Sequence, residues 1–210
     1  MKRFLLIDDH EIVKAGLKVF LENEFPDIAV DDACDRESAL QKFGDGQYDL
    51  VLLDVNIPGT NSCKLLSEIL NIEPKINILI FSMNTEVVYA KKYLQLGAKG
   101  YITKSAPVEE LSNAIDAVLQ NKRYINAALK ELLVEDHLTG KASTNPFVDL
   151  SPRELEVFQR LMHGETPVQM CSSLNLSSST VATYKARIFE KLNCKNILEL
   201  NLLAKLHDMI

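Results

Sequence analysis

Short apolar runs alternate with segments of helical period along the first 121 residues. The runs that predict strands are RFLLIDD, IAVDDAC, DLVLLDV, KINILIFSM and KGYITK. The segments that predict helices are HEIVKAGLKVFLENE, RESALQKF, SCKLLSEIL, TEVVYAKKYLQLG and VEELSNAIDAVLQN. Strict alternation of strand and helix is typical of a parallel sheet that is covered by helices on both faces. The pattern therefore predicts an α/β fold with a doubly wound, five-stranded parallel sheet over residues 1–121.

The strand pattern then stops, and only helical periods follow. Residues 122–148 contain a short helical segment, AALKELLVED, and a polar stretch, and we interpret them as a linker. A helix start is predicted at LSPRE, with Ser151 as the N-cap, a proline in the first turn and Glu154 as the capping-box partner. A second start is predicted at LSSST. Residues 149–210 are thus expected to form a small all-α domain.

The composition is ordinary for a globular protein, with 47% hydrophobic and 25% charged residues in a chain of 210. No stretch approaches the roughly 18 consecutive apolar residues that a membrane span needs. The amino terminus turns acidic too early for a signal peptide, so we expect a cytoplasmic protein. The net charge of -6 lies wholly in residues 1–148, because residues 149–210 hold as many cations as acids. Composition alone therefore does not indicate a nucleic-acid partner.

Four cysteines are widely separated along the chain and form no CxxC pair: Cys34, Cys63, Cys171 and Cys194. This spacing favours reduced, buried thiols over a zinc site or a disulfide framework. We therefore expect neither a metal site nor a cross-link at sulfur.

Polar side chains close four of the five predicted strands. They are Asp8 and Asp9 after the first strand, Asp54 after the third, Ser82 at the end of the fourth and Lys104 after the fifth. Parallel strands have their carboxyl ends at one edge of the sheet, where ligands bind. A single acid at a strand end is ordinarily solvated, but five polar residues at one edge indicate a site. Three carboxylates there repel one another unless a cation lies between them, and Mg²⁺ prefers such oxygen ligands.

These motifs closely resemble the receiver domain of two-component response regulators over about residues 1–121. The resemblance rests on the paired acids DD at positions 8 and 9, on LLDVNIPG around Asp54, on FS at positions 81 and 82, and on GYITK, which ends at Lys104. It implies a flavodoxin-like fold in which Asp54 takes a phosphoryl group from a histidine kinase, with Mg²⁺ as the cofactor. The metal ligands that it implies are Asp8, Asp9, Asp54 and the main-chain carbonyl of Asn56.

The chemistry of such a site assigns roles to its other members. An ionised Asp54 is the nucleophile, and the ammonium of Lys104 offsets charge on the phosphoryl oxygens during transfer. Ser82 is expected to donate a hydrogen bond to a phosphoryl oxygen and to draw its loop inward, while Tyr101 swings into the vacated space. By resemblance, the neighbours that influence the lifetime of the phosphoryl group are Asn56 and Asn84.

The tail, from about Asp149 to His207, looks like the LuxR-type helix-turn-helix domain that ends many response regulators. Its landmarks are LSPRE, the turn at Gly164, LNLSSSTV and KLNCKN. By resemblance, TPVQMCSSL is the supporting helix and SSTVATYKARIFEKL is the recognition helix. The buried stripe predicted on the recognition helix consists of Val181, Tyr184 or Lys185, Ile188 and Leu192.

The recognition helix and its exit, residues 180–195, carry a net charge of +3, which suits the phosphates of DNA. The residues expected to contact DNA are Thr180, Ala182, Thr183, Lys185, Ala186, Arg187 and Lys191. The chain departs from the family pattern, which usually has a basic residue at the positions of Val168 and Ala182 and often a histidine at that of Tyr184. We therefore expect fewer phosphate contacts per chain and a dependence on dimerisation.

The last helix, NILELNLLAKLHDMI, repeats leucine at positions 200, 203 and 206. We predict that this stripe is the pairing surface of a homodimer that forms on phosphorylation, with packing inside its own domain as the alternative. Helix-turn-helix dimers bind two half-sites about one helical turn apart, so an inverted repeat is the expected operator.

The leading interpretation is a phosphorylation-controlled, DNA-binding transcription factor and not an enzyme. A phosphatase with an aspartyl nucleophile needs a second acid two positions on, where this chain has Asn56. A dinucleotide-binding domain needs a glycine-rich loop after the first strand, where this chain has DDHEIV. A receiver that is not phosphorylated and serves only as a dimerisation scaffold is a further alternative, which only the chemistry at Asp54 separates from the leading one.

Overall fold

The structure is a computed structural model that describes residues 1–83, 87–126, 130–131, 145–207 and 209–210, with only the backbone at positions 87 and 88. Asn84 and most of the predicted linker therefore lie outside the described residues. The chain divides into two compact units, each of which is described by itself.

The first unit contains a five-stranded parallel sheet with the strand order β2-β1-β3-β4-β5. The strands are β1 (Lys2–Ile7), β2 (Ile28–Ala33), β3 (Leu50–Leu53), β4 (Asn77–Ser82) and β5 (Gly100–Thr103). All four residues of the central strand β3 are buried, as expected for a strand with helices over both faces. This sheet confirms the predicted doubly wound α/β fold.

Helices connect and cover the strands of this sheet. They are α1 (Glu11–Glu24), α2 (Arg36–Asp45), α3 (Ser62–Ile72), α4 (Val87–Leu96) and α5 (Val108–Leu119). Side chains of Asp35 and Asn61 accept backbone N–H groups at the starts of α2 and α3, which fixes where these helices begin. Phe4, Leu52 and Ile115 belong to one hydrophobic cluster, which lies between one face of the sheet and the helices that cover that face.

The second unit is helical, as predicted. After a 3₁₀ turn (Pro146–Asp149) come α6 (Pro152–Met162), α7 (Pro167–Leu174), α8 (Ser178–Lys191) and α9 (Ile197–Leu206). The predicted capping box at Ser151 and Glu154 is confirmed at the start of α6, and Ser177 caps α8. The rings of Phe147 and Phe158 lie 4.8 Å apart between their centres and are fully buried, so they anchor this core.

Two expectations about the exposure of side chains are wrong: that the cysteines are buried, and that the leucines of the last helix share one pairing surface. The cysteines are free thiols as expected, but Cys34 is exposed and the other three are partly exposed. In α9, Leu200 is fully buried whereas Leu206 is 76% exposed, so the two do not share a surface. Residues at i and i+6, such as Leu200 and Leu206, point in directions about 120° apart around a helix.

Within the described residues, no helix combines the length and the apolar character that crossing a lipid bilayer requires.

Candidate functional site

The carboxyl ends of the strands bring the predicted acidic residues and the lysine together. The backbone N–H of Asp8 donates to Ala33 O at 3.0 Å, that of Asp54 to Ile7 O at 2.8 Å, and that of Lys104 to Ser82 O at 2.7 Å. Each residue thus extends a ladder of the parallel sheet by one step. Their side chains therefore meet at one edge, as the rule for parallel sheets predicts.

Lys104 joins two carboxylates at this edge. Its Nζ donates hydrogen bonds to Asp8 Oδ2 at 2.6 Å and to Asp54 Oδ2 at 2.8 Å. All three side chains are buried, with exposed fractions of 4%, 2% and 6% for Asp8, Asp54 and Lys104. Buried charges of this kind persist because each is paired. The chain thus supplies its own cation between two of the three acids.

Burial and charge pull the protonation of this site in opposite directions. Burial raises the pKa of Asp54 above its ordinary value, and the hydrogen bond from Lys104 only partly offsets that rise. Burial lowers the pKa of Lys104, but its hydrogen bonds to Asp54 and Asp8 outweigh burial, so the pKa is raised. Burial therefore opposes the ionised form of Asp54, whereas the neighbouring ammonium of Lys104 favours it.

The residues at this edge fit a divalent cation. Asp8, Asp9, His10 and Asp54 each offer a ligand atom, and these atoms lie within 4.8 Å of one another. Asp9 Oδ1 is buried and accepts no hydrogen bond from the described residues, although His10 Nδ1 lies 3.0 Å away. A buried carboxylate oxygen without a hydrogen-bond donor is a ligand that a hard cation satisfies.

His10 is a further member of this site that was not predicted, and its ring lies beside both acids of the first strand end. Its Nδ1 is 3.1 Å from Asp8 Oδ1, and its backbone N–H donates to the same oxygen at 2.8 Å. Its position directly after the two acids was the available signal.

The other predicted members of this site lie near the same edge or in the core beside it. The backbone N–H of Asn56 donates to Asp54 Oδ1 at 3.2 Å, which holds the loop after β3 against that carboxylate. Ser82 is fully buried, and Tyr101 is 4% exposed, so a swing of its ring would start from a buried position. Their roles in switching, and that of the Asn56 carbonyl in metal binding, stay predictions.

The outer surface of α8 in the second unit is mostly as predicted. Val181, Ile188 and Leu192 are buried, whereas the two alternatives at 184 and 185 are both partly exposed. The exposed members of the expected DNA-contacting set are Ala182, Thr183, Ala186, Arg187 and Lys191. Thr180 Oγ1 lies 2.7 Å from Ser177 Oγ in the helix cap. The set therefore lies along one helix, and its contacts with DNA stay a prediction.

Lys191 is exposed and yet tied to its own domain. Its Nζ donates to Glu154 Oε2 at 2.7 Å and to the carbonyl of Asp149 at 3.1 Å. Burial raises the pKa of Glu154, but the hydrogen bonds from Lys191 and from the backbone N–H of Ser151 outweigh burial and lower it. The end of α8 is thus bound to the capping box that starts α6.

We expect Glu154→Gln to lower the free energy of unfolding by about 1–2 kcal/mol at neutral pH, because it weakens charge-assisted hydrogen bonds. A glutamate whose pKa is lowered by folding stabilises the fold above its unfolded pKa of about 4.3, and this stabilisation disappears as the pH falls through the folded pKa. Urea unfolding followed by circular dichroism should show the difference between wild type and variant shrinking below about pH 4.3. A difference independent of pH would contradict this assignment.

Two known protein families match this chain, one over its α/β unit and the other over its helical unit. Residues 4–116 match the model of the response regulator receiver domain. Residues 148–204 match the model of the bacterial regulatory proteins of the luxR family. Together the two matches cover 170 of the 210 residues.

Individual proteins resemble the chain over its full length. The response regulator UvrY of Escherichia coli strain K12 is 32% identical over 209 residues, which is all of this chain and 96% of that protein. The response regulator GacA of Pseudomonas protegens is 35% identical over 211 residues, covering 100% and 98% of the two chains. The structure of RcsB from Salmonella enterica serovar Typhimurium, bound to promoter rprA with the phosphomimetic BeF3⁻, has a TM-score of 0.73 at 22% identity. The match to RcsB covers 96% of this chain and 97% of that one, and it concerns the fold alone.

Proposed function

Because the chain belongs to the response regulators that join a receiver domain to a LuxR-type DNA-binding domain, we propose that Asp54 is its phosphoacceptor and that phosphorylation there controls DNA binding. The family consists of DNA-binding transcription regulators, which are not enzymes. The single observation that carries the proposal is the buried bridge from Asp8 through Lys104 to Asp54 at the carboxyl edge of the sheet. The proposed divisions are a receiver at 1–121, a linker at 122–148 and a DNA-binding domain at 149–210.

The donor we propose is a phosphohistidine of a histidine kinase. An ionised oxygen of Asp54 forms a bond to phosphorus as the bond from phosphorus to the histidine nitrogen breaks, and that nitrogen leaves with the electron pair. Lys104 is close enough to Asp54 to neutralise an oxygen of the arriving phosphoryl group, provided that it exchanges one of its two carboxylate partners. Transfer therefore changes the partner of a buried cation.

Mg²⁺ is the proposed cofactor, and the residues that would hold it are Asp8, Asp9, Asp54 and the carbonyl of Asn56. When bound, the ion supplies positive charge that offsets the negative charge of the phosphoryl oxygens. Support comes from the oxygen ligands gathered at this edge and from the buried Asp9 oxygen that accepts no hydrogen bond from the described residues. The ring of His10 lies beside these acids, and its neighbouring backbone holds Asp8 in place.

The experiment that tests the proposal combines phosphorylation with DNA binding. The full chain is incubated with acetyl phosphate, with and without Mg²⁺, and its affinity is measured for duplexes that it selects from a random library. We expect Mg²⁺-dependent incorporation of one phosphoryl group and tighter binding afterwards. A fully phosphorylated chain whose DNA affinity is unchanged would overturn the proposed control.

We expect Lys104→Ala and Ser82→Ala to separate phosphorylation from output. Both side chains are proposed to contact the phosphoryl group, and neither supplies the nucleophile. Each variant should still be phosphorylated, but the gain in DNA affinity on phosphorylation should fall by about tenfold, the equivalent of one charge-assisted hydrogen bond. The measurement is DNA affinity at equal phosphoryl content.

A matched control is Lys99→Ala, which removes the lysine directly before β5, at the opposite end of that strand from the acidic edge. This variant should keep both phosphorylation and the full gain in affinity. An equal gain in wild type, Lys104→Ala and Ser82→Ala would remove both residues from the switch.

A homodimer on DNA is the proposed active form. The exposed apolar residues of α9 and its exit are Ile197, Leu198, Leu202, Leu206 and Ile210. Such a concentration of exposed leucine and isoleucine is typical of an interaction surface. We propose this exposed surface as the dimer contact in place of the predicted leucine stripe, because Leu200 of that stripe is buried in the core. We propose that the operator is an inverted repeat. Because binding to an operator requires access to the chromosome, we also propose that the protein is cytoplasmic.

A further inference from the structure

The recognition helix α8 presents short side chains along the middle of its exposed face. At about 100° per residue, Ser179, Ala182, Thr183, Ala186 and Glu190 fall on one side of the helix. All five are exposed. Of these, Glu190 alone is charged, and it lies at the carboxyl end of the face. The middle of the face therefore consists of small groups that let the helix backbone come close to a surface.

The hydroxyl of Thr183 is already engaged within the helix. Its Oγ1 donates a hydrogen bond to the carbonyl of Ser179 at 2.9 Å. A hydroxyl proton that is donated to a carbonyl of its own helix is not available to a base. Thr183 thus presents a methyl group and a hydroxyl oxygen that can only accept, and Ala182 and Ala186 present a methyl group alone.

Cations flank this face and are absent from its middle. Lys185 and Arg187 lie on opposite sides of the face, and the Nζ of Lys185 lies 5.7 Å from the centre of the Phe189 ring. An ammonium over an aromatic ring is held at that position by a cation–π contact. The flanking cations therefore suit contacts with the phosphates on either side of a DNA groove. The central methyl groups suit contacts with the base edges on the floor of that groove.

We propose that Ala182, Thr183 and Ala186 recognise the 5-methyl groups of thymines in the major groove of the operator. This inference rests on the proposed DNA-binding function and adds the chemical feature that is recognised. Thymine alone among the four bases has a methyl group in the major groove, and small apolar side chains contact it favourably. Lys185 and Arg187 bind phosphates and contribute affinity without base preference.

The experiment removes those methyl groups from the DNA. The full chain first selects its tightest duplexes from a random library, and the selected duplex is then synthesised with uracil in place of thymine. Uracil keeps every hydrogen-bonding group of thymine and lacks only the methyl group. We expect affinity to fall about fourfold for each methyl group removed within a half-site. Uracil outside the half-sites should leave affinity unchanged.

Protein variants identify the partners of those methyl groups. Ala182→Ser and Ala186→Ser put a hydroxyl on the proposed contact and should reduce the preference for thymine over uracil at one position each. Lys185→Ala and Arg187→Ala should weaken binding to both duplexes equally and lower its salt dependence. Lys205→Ala, which removes an exposed lysine from α9, is the matched control for these two.

The possible failures are distinguishable. Selection of no preferred duplex would overturn the proposed function together with this inference. Selection of a preferred duplex that binds equally well with uracil and thymine would overturn the inference alone. Loss of base preference in Lys185→Ala or Arg187→Ala, with Ala182→Ser and Ala186→Ser unaffected, would assign base recognition to the cations instead.

Discussion

Replacing Asp54 with asparagine is expected to reduce the rate of phosphoryl incorporation more than a thousandfold, to the background of the assay. The side-chain amide has the shape of the carboxylate but is neutral and a poor nucleophile. The fold should survive the change, because Lys104 keeps its hydrogen bond to Asp8. Incorporation is measured with labelled acetyl phosphate in the presence of Mg²⁺, followed by mass spectrometry of the intact chain.

A conservative change elsewhere in the receiver controls for a general loss of charge. Asp116 is exposed on α5, and Asp116→Asn removes one carboxylate in the same way. This variant should be phosphorylated at the wild-type rate. If Asp54→Asn incorporated one acid-labile phosphoryl group as fast as Asp116→Asn, another residue would be the phosphoacceptor.

Placing a charge on the exposed face of α9 is expected to have the second large effect. Leu202 is 61% exposed, so Leu202→Glu should leave the fold of the single chain intact while putting a carboxylate into the proposed dimer contact. Affinity for an operator with two half-sites should fall about a hundredfold, because the second binding event is no longer linked to the first. Affinity for one isolated half-site should stay the same.

A matched control is available on the receiver. Val19 on α1 is 60% exposed, so Val19→Glu makes a similar change at nearly the same exposure. This control should keep the full affinity for the two-site operator. The dimer surface would lie elsewhere if Leu202→Glu bound the full repeat as tightly as Val19→Glu, or if phosphorylated wild type bound one half-site as tightly as two.

The receiver fold and its acidic edge were predictable because topology fixes them. Once five apolar runs alternate with helical segments, the parallel sheet follows, and the carboxyl ends of its strands meet at one edge. Residues directly after those runs, such as Asp54 and Lys104, then come together whatever the loops do. The prediction needed only the positions of the strand ends along the sequence.

Partner choice among side chains was not predictable from spacing. Lys191 was expected at DNA because of its charge, but it also donates to Glu154, which lies 37 positions earlier in the chain. Leu200 and Leu206 share a repeat in the sequence and differ in burial, because an interval of six residues does not return to the same side of a helix. Such outcomes depend on how helices pack, which hydrophobic period alone does not specify.

The bridge between Asp8 and Asp54 also bears on how the protein returns to its starting condition. One ammonium is shared by two carboxylates, so the arrival of a phosphoryl group creates a competition among three acceptors for a single cation. The backbone of Asp8 is held by the sheet, because its N–H donates to Ala33 O. Hydrolysis removes the phosphoryl oxygens, and the ammonium of Lys104 then returns to the two carboxylates that it bridges in this structure. Because phosphorylation and hydrolysis exchange hydrogen-bond partners around one lysine, each cycle ends with the same contacts from which it began.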